Sequence, residues 1–134
     1  MLEAASGEKS PILLYSIWSC ADPPRIGYGA AQAFVEAGAH VVILSSSQEN
    51  VDNAVKQLNS PNVQGQVADA RDEEGFTAAL QSLAPLDHLV FSGVDKIIRG
   101  SVAEVNLDEA KNLFGVKFWG SVIAGKGEPA QTAP

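Results

Sequence analysis

The chain has 134 residues, 46 % of them apolar and nine of them aromatic, which is enough for one ordinary core and too little for two independent domains. Nine basic against sixteen acidic side chains give a net charge of -7, which repels phosphate backbones and anionic membrane surfaces, so neither nucleic acid nor membrane is an expected partner. Cys20 is the single cysteine and excludes an intrachain disulfide, and the opening MLEAASGEKS has no signal-peptide pattern, so a cytoplasmic protein is expected.

In chain order, Ile12 to Trp18 and Val41 to Leu44 are nearly continuous apolar runs, as strands covered on both faces require. Val63 to Ala68 is a weaker, polar-interleaved strand, and Leu86 to Phe91 is a strong one. The period between these runs is helical. A helix from about Ile26 to Ala37 places Ile26, Ala30, Ala33, Phe34 and Ala37 on one side and stops at Gly38. Val51, Ala54, Val55 and Leu58 form a second apolar face at i, i+3, i+4 and i+7, and Phe76, Ala79, Leu80 and Leu83 a third. Ser46 with Glu49, and Asn106 with Glu109, supply helix-start signals, while Pro61 and Pro85 lie just past the second and third helices. The order is β-α-β-α-β-α-β-α with a long loop before the last helix, which implies an α/β fold with a parallel sheet and right-handed crossovers. Residues 1–125 form one domain in this reading, and 126–134, rich in Gly and Pro, a frayed tail.

The stretch CADPPRIGYGAAQAF, residues 20 to 34, joins the first strand to the first helix. A Gly-bearing turn there makes an anion site, because the first N–H groups of the helix lack partners within it. This turn resembles the phosphate loop of the short-chain dehydrogenase/reductase family, TGxxxGxG, but keeps only Gly27, with Ala21 and Arg25 in place of the other glycines. The rest of the chain is similar to the same family: AAQAFVEAGAHVVILSSSQENVDNAVKQL to its first helix, second strand and second helix, VADARDEEG to its adenine-holding turn, LDHLVFSGV to the strand that ends in NNAG, and NLDEAKNLFGVKFWGSV to its VNFWG-bearing helix. The resemblance implies a Rossmann-like three-layer sandwich with helices on both faces and the four strands in the order 3-2-1-4. Ala21, Arg25, Ile26, Gly27, Ser45, Ser46, Ser47, Asp69 and Gly93 are then the residues at the cofactor positions. The second strand ends without the acid that an NAD site uses on the ribose 2′-hydroxyl, so Ser45 to Ser47 point to NADP(H). Arg25 obstructs close approach of the pyrophosphate or supplies charge to a phosphate, and Pro23 and Pro24 each remove an N–H donor.

The departures from the family concern its chemistry. Its Ser, Tyr and YxxxK lysine have no counterpart, since Tyr15 and Tyr28 lie near the first strand and the chain ends after the fourth helix, where Lys117 replaces the asparagine of many members. The expectation is therefore an enzyme of non-redox type, isomerisation or cyclisation of a small organic molecule, with Asp22, Arg25, Asp95 and Lys117 as candidate catalytic groups. The alternatives are a truncated NADP(H)-binding oxidoreductase and a non-catalytic cofactor- or partner-binding relic. Lys117 either extends to solvent or lines a pocket with Arg25 and Asp95. Asp69 caps its own turn or contacts adenine, and the run Arg71 to Glu74 reads as a solvated helix start. His40 and His88 have no Cys, Asp or Glu at ligand spacing, so no metal is expected. An exposed edge at 86–91 and an apolar girdle on the helix 107–125 point to a homo-oligomer, most simply a dimer, built through one of these surfaces.

Overall fold

A computed structural model describes the backbone of 12–15 and residues 26–95 and 98–127. Four strands form one parallel sheet: β1 (Ile12–Tyr15), β2 (Val41–Ser45), β3 (Val63–Val67) and β4 (His88–Phe91), in the spatial order β3-β2-β1-β4. Ile12 lies opposite Val41 on one side and His88 on the other, and Val41 opposite Val63, so all four strands start and end nearly level. Their carboxyl ends therefore share one edge of the sheet.

The two faces of the sheet follow from side-chain alternation along the strands. Val41, Ile43, Val63 and Val90 pack with α1 (Ile26–Glu36) and α2 (Gln48–Leu58). Val42, Leu44, Leu89 and Phe91 pack with α3 (Glu73–Ser82) and the C-terminal helical run. Every residue of β2 is buried, as a central strand requires, whereas β4 at the sheet edge is only partly so.

Local chemistry sets the helix ends. α1 stops in a Schellman turn: Gly38 takes φ 81°, its N–H donates to the Val35 carbonyl, and the Ala39 N–H donates to that of Phe34. The buried face of α1 differs from the expected one. Gly27 and Ala31 are buried with Ala30, Phe34 and Val35 beside them, while Ile26, Ala33 and Ala37 are exposed. The smallest residues face the sheet, which lets the helix axis come close. At α2 the cap is Ser47, not Ser46: its Oγ accepts the Asn50 N–H, because β2 and its exit turn extend one residue further than expected. Asn106 caps α4 (Leu107–Lys111) as its spacing predicts, accepting the N–H groups of Asp108 and Glu109.

The expected single last helix is four segments in succession. α4 passes through a 3-10 turn (Asn112–Phe114) into a π segment (Gly115–Gly120) and then α5 (Ser121–Gly127). Gly120 sits against Ala70 and Phe91 so closely that a Cβ would lie 3.0 Å and 3.1 Å from their side chains. α5 reaches Gly127, two residues into the stretch read as a tail.

Candidate functional site

The carboxyl edge of the sheet gathers the chemistry-bearing residues of three strand exits. Ser45 ends β2 in the core, and its carbonyl accepts the Ala68 N–H at 2.9 Å, which holds the β2 and β3 exits together. Ser46 is exposed, and Ser47 spends its hydroxyl on the α2 cap. Past β3, Asp69 Oδ1 accepts the Arg71 N–H at 2.9 Å, so Asp69 caps its own turn while remaining exposed at the rim. Past β4, Gly93 is buried. Gly27 is buried in the first turn of α1, whereas Ile26 is 85 % exposed. Ala21, Asp22 and Arg25 lie outside the described residues.

Asp95, two residues beyond Gly93, is the most constrained polar group near this edge. Its side chain is 3 % exposed. Oδ1 accepts from Arg71 Nη2 at 2.6 Å; Oδ2 accepts the N–H of Val116 at 2.9 Å and that of Lys117 at 3.1 Å. Burial opposes ionisation of Asp95. The hydrogen bond from Arg71, the two backbone N–H groups and the Arg71 charge outweigh it and hold the carboxyl below its ordinary value. Asp95 and Lys117 do meet, then, but through the lysine's backbone; the residue itself is exposed. The pairing with Arg71 was hidden in the sequence, because its partner lies 24 positions away and the local Arg-Asp-Glu-Glu pattern belongs to the α3 start, where Asp72 caps the Gly75 N–H.

An open groove of about 870 Å³ lies on the outer side of the Arg71 pair, lined by Arg71, Glu73, Lys111, Phe114, Trp119 and Ile123. It shares Arg71 and Gly115 with the surroundings of Asp95, and among the described residues none of the sequence-derived site residues lines it. Among the described residues no three His, Cys, Asp or Glu side chains come together as a metal site, and no helix is long and apolar enough to cross a membrane.

Comparison with known proteins agrees with this geometry. The SDR-like Rossmann domain model matches residues 17–131. Short-chain dehydrogenase/reductase fsr5 of Gibberella fujikuroi is 28 % identical over 73 % of this chain, which spans 42 % of the length of that relative. A short chain dehydrogenase from Mycobacterium smegmatis superposes with a TM-score of 0.71 at 20 % identity, covering 89 % of this chain and 50 % of its own. A 3-ketoacyl-(acyl-carrier-protein) reductase from Brucella melitensis, solved in complex with NADH, gives 0.68 at 19 % identity over 88 % and 48 %. At these identities the two structures speak for the fold. The match to the family model covers most of the chain, and the protein belongs to the short-chain dehydrogenase/reductase family.

Proposed function

We propose that this chain forms the dinucleotide-binding half of a short-chain dehydrogenase/reductase-type oxidoreductase and takes NADP(H). One observation carries the reading: the exits of β2, β3 and β4 bring Ser46, Asp69 and Gly93 to a single edge of a parallel sheet, next to the buried Gly27 at the start of α1. In open α/β sheets that edge is where nucleotides sit. Ser46, exposed and uncharged beside the start of α2, suits a 2′-phosphate, and Asp69 at the rim suits the adenine end. The bound cofactor would supply hydride chemistry. This chain's residues bind and orient it.

The non-redox reading, isomerisation or cyclisation of a small organic molecule in a pocket completed by a second copy with Asp22, Arg25, Asp95 and Lys117 as its candidate catalytic groups, would give Asp95 an acid or base role. Engagement of both Asp95 oxygens by Arg71 and two N–H groups weighs against that role and favours the cofactor reading. Titration of the chain into NADPH, followed by nicotinamide fluorescence, should saturate, and Ser46→Asp should shift preference from NADPH toward NADH by about tenfold, a change of ~1.4 kcal/mol. Absence of saturation in the millimolar range removes the proposal. Turnover of a substrate without any nicotinamide cofactor would restore the non-redox alternative.

A further inference from the structure

We infer that Asp95 is a positioning residue: its carboxylate holds the π segment Gly115–Gly120 in place, and its backbone ties that segment to the Ser92–Val94 wall of the crevice. The second half of this inference rests on the cofactor reading above.

A π turn is uncommon and persists where its surroundings compensate for it. Here the compensation is specific. Val116 is 2 % exposed, so water does not serve its N–H; Asp95 Oδ2 does, and the same oxygen takes the Lys117 N–H. Oδ1 binds Arg71, whose own N–H is held by Asp69. The exit of β3, the exit of β4 and the π segment are thereby one hydrogen-bonded unit. Glycines at both ends of the segment allow the close seating. A Cβ on Gly115 would lie 3.1 Å from Arg71 Nε and 3.5 Å from Asp95 Oδ1, and one on Gly120 would press on Ala70 and Phe91.

The arrangement requires a carboxylate. Three donors converge on two oxygens that carry no proton, whereas an amide would present its own donor to either Arg71 or the backbone pair. Because Gly93 and Asp95 are separated by a single residue, movement of Asp95 is transmitted to the wall where β4 leaves the sheet.

The test is residue-resolved amide exchange on the 134-residue chain, with NADPH affinity measured in parallel, for wild type, Asp95→Asn and Asp95→Ala. Asp95→Ala removes both acceptors, and exchange at Val116 and Lys117 should accelerate about 100-fold while Val42 to Leu44 keep their protection. Asp95→Asn keeps one neutral acceptor, and the acceleration should be about tenfold, since bonds to a charged acceptor are roughly twice as strong. NADPH affinity should fall in the same order. If Asp95→Ala does not fold, Asp95→Asn alone decides. Wild-type protection at Val116 and Lys117 in a folded variant overturns the inference, as does lost protection with unchanged affinity for NADPH. A wild-type chain that takes up no NADPH overturns the crevice half together with the cofactor reading, while the exchange pattern still decides the π-segment half.

Discussion

Asp95 illustrates how a buried anion is maintained. Removing a carboxylate from water is costly unless donors replace the lost hydration, and Asp95 receives three. Arg71 is 55 % exposed and keeps much of its own hydration, so its charge adds less than its hydrogen bond and the two backbone bonds. The pH dependence follows from the lowered carboxyl pKa. The stabilisation is complete above the unfolded-state value, near 3.8, and is lost as pH falls through the lower folded value. Denaturant midpoints measured down to about pH 3 should therefore drop in wild type, and the drop should be smaller in Asp95→Asn, which has no proton to take up there. Equal slopes for the two proteins would show that Asp95 does not ionise in the folded state as described. At neutral pH, Asp95→Ala should cost about 1–3 kcal/mol, from orphaning the buried Val116 N–H.

At the scale of elements, strongly periodic segments were legible and close-packed ones were not. The second and third apolar faces bury Val51, Ala54, Phe76, Ala79 and Leu80 as their spacing predicts, and Gly38 ends α1. Alanines surround α1, and hydrophobic spacing alone does not say that Gly27 and Ala31 make its contact with the sheet. Ser45, Ser46 and Ser47 offer three equivalent caps; only the end of β2 decides among them. The π segment that follows the 3-10 turn, from Gly115 on, is held by Asp95, a residue outside the helix, and no local pattern encodes it. Strand β3 is weak in sequence because Gln64 and Gln66 interleave its apolar residues, and its central residue is a glycine. Gly65 is where α2 lies on the strand, and a Cβ there would overlap Val51 Cγ1 and come within 2.9 Å of Val55 Cγ2. Val51 is buried and β-branched, so it has little room to turn away. Gly65→Ala should destabilise the fold by about 1–3 kcal/mol. A melting curve no different from wild type would mean that α2 sits further from the sheet.

Over the whole molecule, the sheet has two edge strands, β3 and β4, and the last helical run one uncovered face. Phe114, Phe118, Trp119 and Val122 are about half exposed, and their three rings stack edge to face, with the Phe118 and Trp119 centroids 4.9 Å apart. Val116, Gly120, Ala124 and Gly127, on the opposite side, fill the contact with the sheet and α3. An aromatic surface of this kind favours association. We propose a homo-oligomer, and light scattering at micromolar concentration should give a mass above the 14.0 kDa of one chain; a uniform monomer would refute it. The most direct measurement for the function is an amide chemical-shift map of the isotope-labelled chain titrated with NADPH. Saturable shifts should appear at Ser46, Asp69 and Gly93, along the carboxyl edge of the sheet. Shifts confined to the groove at Phe114 and Trp119, or none at all, would contradict dinucleotide binding at that edge.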